Sequence, residues 1–479
     1  MLAKERMMDS LLNFFNAING VFWGNFMIFI LVGTGIIFTV LLKFPQLRRL
    51  KDAFILAFGD LRSGGKASKK EGMSSFQSLA TALAGQVGTG NIAGPATAIM
   101  AGGPGAVFWI WISAFFGMGT IFSEATAAQK FKSTLNDGTV IGGPAYYIKA
   151  AFPGSFGKFL AGAFSIFVIV GFGMAAAMIQ GNTIADAMNN SFGIPHVATG
   201  IVVAVLLLAV VIGGISRIAS TVSTLVPIMA SIYVVCALII IVINFSHIPE
   251  AFAMIFKAAF SAEAAGGGFA GIAVREAMRY GVARGLFSNE AGMGSTPHAH
   301  AVAKVKHPCD QGLVAMVSVV IDSFVILTMS CLLILTTGSY NSGHQGIGVV
   351  QGAFESVFGA AGSILIALCV FFFCFSTIIA AYFYGEQNFK RIFGVKSVPV
   401  YMAMIVFFVI FGSMATVSLV WAICDTFNGL MVFTNLIGLY GVSGVIMKLW
   451  KDYEGGGSEL DTTLNTIKGR KLAMKNAIK

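Results

Sequence analysis

Gly85-Gln86-Val87-Gly88-Thr89-Gly90-Asn91-Ile92-Ala93-Gly94-Pro95 and Gly285-Leu286-Phe287-Ser288-Asn289-Glu290-Ala291-Gly292-Met293-Gly294-Ser295-Thr296-Pro297 each interrupt a long apolar segment, roughly 200 residues apart. In lipid, every backbone N–H and C=O needs a partner within the protein. Glycine and proline runs unwind a helix and free those groups. Such an interruption persists where the freed groups line a cavity or hold a ligand. Two interrupted helices in corresponding halves of a membrane chain point to a transporter with a site near the bilayer midplane.

The 479 residues are 56% hydrophobic and only 11% charged, against about 25% charged in soluble proteins. A mean hydropathy of +0.82 places the chain among polytopic membrane proteins, and 57 glycines suit helices that pack closely in lipid. Met1 to Asn19 is mixed polar and reads as no cleavable signal. Eleven spans are expected, at 20–42, 73–101, 104–128, 159–186, 197–214, 218–244, 269–303, 312–336, 361–386, 398–416 and 418–447. The seventh is the least apolar, because it carries Arg275, Glu276, Arg279 and Arg284. Of the 31 lysines and arginines, all but Lys4, Arg6, Lys257 and those three span arginines fall on one side if the loop after the first span is cytoplasmic. The bias places the N-terminus outside and the C-terminus in the cytoplasm. It also explains the net charge of +10 without nucleic acid.

The second and seventh spans then run in opposite directions, and each opens a block of five. Residues 1–72 form a peripheral helix and basic loop, 73–244 a first repeat, 245–268 an extracellular connection, 269–447 an inverted second repeat, and 448–479 a cytoplasmic tail expected to be mobile from Tyr453. Segments 51–61 and 246–262 read as amphipathic surface helices. The six cysteines show no metal-ligand spacing and imply no disulfide. No nucleophile elbow, HExxH, P-loop or paired-cysteine zinc motif is present, so an enzyme is not expected.

In the first break Gly85, Gly88, Gly90 and Gly94 allow unwinding, and Thr89 and Asn91 supply side-chain oxygens. A half-helix N-terminus favours a carboxylate, and freed carbonyls favour a cation. An amino-acid zwitterion with Na⁺ suits both. Close packing through small residues is the plainer explanation of such a run, but the added Gln86, Thr89, Asn91 and Pro95 exceed what packing needs. The second break offers Ser288, Asn289, Gly292 and Gly294, with Glu290 expected to pair with a nearby arginine. Ser376 and Thr377, adjacent hydroxyls in an apolar span, are either Na⁺ ligands or bonded back to their own helix. Gln180 is either interhelical glue or a ligand contact. Glu124, Asp186, Asp322 and Asp425 are further acids in or near spans. Phe287 and Met174 are the candidates for limiting the substrate side chain. Gly90 is expected where the backbone passes closest to the substrate carboxylate.

Val87-Gly-Thr-Gly-Asn-Ile-Ala-Gly-Pro-Ala, Ala101-Gly-Gly-Pro-Gly, Gly142-Gly-Pro-Ala-Tyr-Tyr and Arg284-Gly-Leu-Phe-Ser-Asn-Glu-Ala-Gly-Met-Gly-Ser resemble the alanine or glycine:cation symporter family. That family lies within the amino acid–polyamine–organocation superfamily, and the resemblance covers roughly residues 10–450. It implies an all-α polytopic membrane protein with the leucine-transporter fold: five-plus-five inverted repeats and one extra peripheral N-terminal helix, eleven spans in all. It implies Na⁺-coupled uptake of small amino acids, with no other cofactor. The superfamily's sodium site would fall on the carbonyls of Ala84, Val87 and Phe373 with the hydroxyls of Ser376 and Thr377. Substrate would sit against Gln86 to Asn91 and Phe287 to Gly292, with Gln180 nearby. The expected partners are the amino acid, Na⁺ and the bilayer, and the chain is expected to act as a monomer. An uncoupled channel or amino-acid sensor on the same fold is the alternative, though no filter repeat or ring of acids is seen. Alanine, glycine, serine and glutamine all remain open as substrates.

Overall fold

The computed structural model describes residues 2–23, 25–63, 72–135, 138–260, 274–415 and 417–457. Lys66, Lys69 and Lys70 of the basic loop, the start of the seventh expected span and the end of the tail lie outside the described residues. Nearly everything described is helical; the one strand pair, Ser133–Thr134 with Val140–Ile141, is two residues long.

Long apolar runs need lipid or protein around them, and the helices meet both conditions. Among the described residues seven helices are long and apolar enough to cross a membrane. The other four expected spans differ for physical reasons. Asn25–Leu41 and His196–Val211 are apolar but short, at 17 and 16 residues. The remaining two are split by their breaks into Ser75–Gln86 with Thr89–Gly102, and Val274–Asn289 with Pro297–Ala301. Gly214–Ile243 and Val395–Met414 have only 33% and 28% of their apolar windows buried. Their exposed Ile232, Val235, Val242, Phe407 and Phe411 form faces suited to acyl chains. The helices carrying the breaks sit inside, and Ala84, Val87, Ser288 and Asn289 are all buried.

Helix ends lie mostly within a few residues of the hydropathy boundaries. One departure is at the C-terminus. The last span ends at Gly441, and a separate helix, Ser443–Glu454, follows. It is held against the protein: Trp450 packs edge-on to Phe122, Arg48 pairs with Glu454 at 2.6 Å, and His307 with Asp452 at 3.3 Å. Tyr453 therefore belongs to an anchored helix and not to a mobile tail. The segment expected to lie on the surface at 51–61 is part of a helix, Leu50–Ser63, that buries Ala53 and Ala57. Its counterpart at 246–262 is Ile248–Phe260.

Three of the basic loops meet one another and the C-terminal helix. Besides the two ion pairs, Lys304 N–H donates to the Met73 carbonyl (3.0 Å) and the Lys132 ammonium to the Ala303 carbonyl (3.1 Å). Two spans carry stretches of π-helix, Val168–Ala176 and Val320–Leu327. The wider turn of a π-helix re-aims side chains and often marks functional positions.

Candidate functional site

The first break is short. Ser74 caps the helix that enters it, accepting from the Gln77 N–H at 3.2 Å. Only Val87 and Gly88 leave the helical path before Thr89–Gly102 begins. Asn91 closes the break by accepting from the Gly88 N–H at 3.2 Å. Gln180 accepts from both the N–H (3.3 Å) and the hydroxyl (3.0 Å) of Thr89. The four glycines thus do different things. Gly88 sits where a Cβ would lie 2.6 Å from the Thr377 hydroxyl. A Cβ on Gly85 would press on Tyr384, whereas one on Gly94 would meet nothing.

The second break is longer and strained. Glu290 adopts φ +57°, and Gly292 and Gly294 have φ +89° and +79°. A non-glycine residue in this region costs about 1–3 kcal/mol and persists where its surroundings enforce it. Here they do. Asn289 accepts from the Ala291 N–H (3.1 Å), and Glu124 accepts from the Gly292 N–H (3.0 Å). The Asn435 amide donates to Glu124 (2.5 Å) and to the Gly292 carbonyl (2.9 Å), while Tyr147 donates to Asn435. Among the described residues Glu290 pairs with no arginine; its carboxylate accepts from the Ser295 hydroxyl.

The two breaks are stitched together. Gln86 donates to the Asn289 carbonyl at 2.6 Å. Asp322, in the second π stretch, accepts from Asn91 (2.6 Å), from Ser288 (3.0 Å) and from Ser323 (2.8 Å). It is wholly buried. Replacing it with leucine strands those donors, each at about 1–3 kcal/mol. Asp322→Leu should therefore unfold at a clearly lower temperature than Asp322→Asn, which keeps an acceptor oxygen. Equal thermal midpoints for the two purified variants would show that this network does not hold the breaks.

A cavity of about 240 Å³ opens beside the first break. Its walls are Thr89, Gly90, Ala93, Gly94, Thr97, Arg284, Phe287 and Trp421. Thr89, Gly90 and Phe287 of the expected substrate residues line it. Gln180 reaches it through Thr89. Gln86, Asn91, Ser288 and Asn289 stand behind the lining and are hydrogen-bonded within the network, although the Gln86 Oε1 has no partner among the described residues. Gly292 is farther off and packs towards Leu31. Met174 is not in the wall; Trp421 is, with its ring 6.1 Å from that of Phe287. The expectation for Gly90 also changes. It is helical, and a Cβ there would have ordinary clearance, 3.7 Å from Phe287.

On the other side of Gly88 a second cluster forms. Thr377 donates to the carbonyls of Phe373 (3.0 Å) and Val87 (3.4 Å), and Ser376 donates to Phe373 (2.8 Å). Four oxygens that a hard cation accepts are thereby gathered among buried residues. Ala84 is buried one turn ahead of Val87. Both hydroxyls are bonded back to their own helix through the Phe373 carbonyl, which is the plainer of the two readings of this pair.

The sequence profile of the sodium:alanine symporter family matches residues 8–463. The chain belongs to that family. Among its relatives is the sodium/alanine symporter AgcS of Methanococcus maripaludis, 39% identical over 91% of this chain and 96% of that protein. The putative sodium/proton-dependent alanine carrier YrbD of Bacillus subtilis is 39% identical over 92% of each chain. The probable sodium/glutamine symporter GlnT of Bacillus subtilis is 37% identical over 91% of this chain and 89% of that one. A solved manganese transporter of Eremococcus coleocola superposes with a TM-score of 0.48 over 81% of each chain, at 14% identity. As a member of this symporter family, the chain is an integral multi-pass membrane transporter and not an enzyme.

Proposed function

We propose that this protein is a Na⁺-coupled symporter that takes up small neutral amino acids, alanine or glycine, by alternating access. One observation carries the reading: a single break, Val87–Gly88, separates a small cavity from a cluster of hydroxyl and carbonyl oxygens. Na⁺ is held by the carbonyls of Val87, Phe373 and Ala84 with the hydroxyls of Ser376 and Thr377. The cation fixes the unwound backbone, and the ordered backbone completes the cavity wall at Thr89 and Gly90. Binding of ion and amino acid is thereby coupled through one peptide.

The chain is arranged as five-plus-five inverted repeats, 73–244 and 269–447, behind a peripheral first helix, giving eleven spans. The N-terminus lies outside and the C-terminal helix in the cytoplasm. The meeting of three basic loops beside the C-terminal helix supports placing these segments on one side. The helices bearing the breaks rock against the rest, and the protein works as a monomer.

Phe287 and Trp421 bound the space for the side chain. Alanine, glycine and serine should compete with labelled alanine for uptake, and leucine and phenylalanine should not. Phe287→Ala should admit larger amino acids and weaken alanine binding at least several-fold. An unchanged selectivity profile would remove Phe287 from the wall. Competition by glutamine stronger than by alanine would move the substrate assignment to glutamine, as the name of one relative suggests.

A further inference from the structure

His300 is wholly buried where the half-helix Ser75–Gln86 meets Pro297–Ala301 and Pro308–Val319. Its Nδ1 lies 2.8 Å from Gln311 Oε1 and 3.2 Å from the Ser78 hydroxyl, which donates to the Ala299 carbonyl at 3.0 Å. The Gln311 amide nitrogen donates to Ser75 at 3.0 Å, so its oxygen faces the ring. That oxygen only accepts. Nδ1 therefore carries the hydrogen, and Nε2 keeps its lone pair. Among the described residues Nε2 has no partner.

These bonds tie the half-helix down. Met73, just before it, donates to the Val302 carbonyl and accepts from the Lys304 N–H, each at 3.0 Å. The Tyr384 hydroxyl donates to the Thr81 carbonyl at 3.3 Å, and the Gln129 amide to the His300 carbonyl. The charged groups on the surrounding elements are engaged elsewhere. On Ala106–Lys130, Glu124 takes Asn435 and the Gly292 N–H, and Lys130 is in electrostatic range of His307. Lys132 donates to Gln129 and to the Ala303 carbonyl. On Pro308–Val319, Asp310 accepts from the His307 N–H. On Ala360–Phe393, Glu386 pairs with Lys390 and faces Tyr382, while Arg391 donates to the Ala161 carbonyl. His298 is held between the Ser295 carbonyl and Asn388. The half-helix itself and the strand Val140–Ile141 carry no charge.

We propose that His300 is a proton-sensitive latch: its neutral ring completes the closed packing of the half-helix Ser75–Gln86, and protonation at Nε2 releases that half-helix. A proton on Nε2 in the closed packing would bury a cation whose new N–H has no acceptor, which is unfavourable. Separation of the half-helix wets the ring and lets it take the proton. While the ring is neutral in both arrangements, pH has no effect. As pH falls below the ordinary histidine value of about 6.5, only the open arrangement binds the proton. Acid then favours opening by up to about tenfold per pH unit. The proposal rests on the alternating-access reading above, in which this half-helix moves with its break.

The test places a reporter, Ala82→Cys, in the purified full-length protein without Na⁺ or alanine. Ala82 is buried one turn beyond Ser78 on the same face of the half-helix. Labelling of that cysteine by a water-soluble maleimide is followed by peptide mass from pH 7.5 to 5.5. Each rate is divided by the rate in denaturant at the same pH, which removes the reactivity of the thiol itself. The ratio should rise about tenfold over this range, beginning near pH 6.5. His300→Gln and His300→Phe cannot take the proton and should flatten it. A ratio that does not rise with the native histidine, or that rises equally in either variant that folds, overturns the proposal. If neither variant folds, the onset decides: a rise beginning near pH 6.5 upholds the latch, and one beginning below about pH 5 belongs to carboxylates and overturns it. A cysteine labelled only in denaturant, at every pH, refutes the alternating-access reading for this half-helix. A cysteine labelled at a ratio independent of pH refutes only this inference.

Discussion

Ser376→Ala combined with Thr377→Ala should abolish Na⁺-dependent alanine uptake while leaving protein levels close to those of the parent. The two hydroxyls and the carbonyls of Val87 and Phe373 meet within hydrogen-bonding distance. Removing both hydroxyls leaves only carbonyls, too few to replace the hydration shell of the ion. Na⁺ affinity should fall by at least about 100-fold, or ~2.7 kcal/mol. Folding should lose less. Each hydroxyl is an intrahelical donor to Phe373, and deleting such a donor costs about 1 kcal/mol. Thr377→Ser keeps the oxygen and should keep most of the affinity. Sodium affinity unchanged in the double variant, measured as the ion-dependent rise in thermal stability, would remove these hydroxyls from the site.

Gly88→Ala should lose both ligands at once. Its Cβ would lie 2.6 Å from the Thr377 hydroxyl and 3.4 Å from the Gln180 amide. The first contact is too close to persist, so Thr377 must leave the Val87 carbonyl. The second crowds the cap on Thr89. Alanine and Na⁺ binding should each weaken by tenfold or more. Gly90→Val gives the contrasting result. Its Cβ has room, but its methyl groups enter the cavity opposite Phe287. It should lose alanine binding while Na⁺ still stabilises the protein. Isothermal titration of both variants with both ligands checks the pair. A Gly90→Val protein that binds alanine normally would show that the cavity is not the substrate site.

The position of the two breaks was legible because glycine, proline and amide side chains stand out in an apolar run. Their internal geometry was not. Gly85, Gly88, Gly90 and Gly94 look alike in sequence, yet only Gly88 leaves the helix; Gly85 and Gly88 are confined by Tyr384 and Thr377 from elsewhere in the chain, while Gly90 has ordinary clearance and Gly94 faces open space. Ser376 and Thr377 were recognisable as adjacent hydroxyls in a hydrophobic span. Asp322 was visible as an intramembrane acid, but its partners Asn91 and Ser288 are 231 and 34 residues away. Trp421 and Arg284 entered the cavity wall only through the packing of three helices. No periodicity separates the π stretches from an α-helix. The final helix was hidden because Val442 to Met447 continues the hydropathy of the span before it.

Accumulation of labelled alanine in proteoliposomes, driven by an imposed inward Na⁺ gradient with the membrane potential set by potassium and valinomycin, separates coupled symport from passive equilibration. One Na⁺ crossing 100 mV supplies about 2.3 kcal/mol, enough for roughly 50-fold accumulation from voltage alone. A symporter should show uphill, saturable uptake that collapses when Na⁺ is replaced by choline and rises with an inside-negative potential. Alanine that equilibrates across the membrane at the same rate with or without the Na⁺ gradient, and never accumulates, would contradict it.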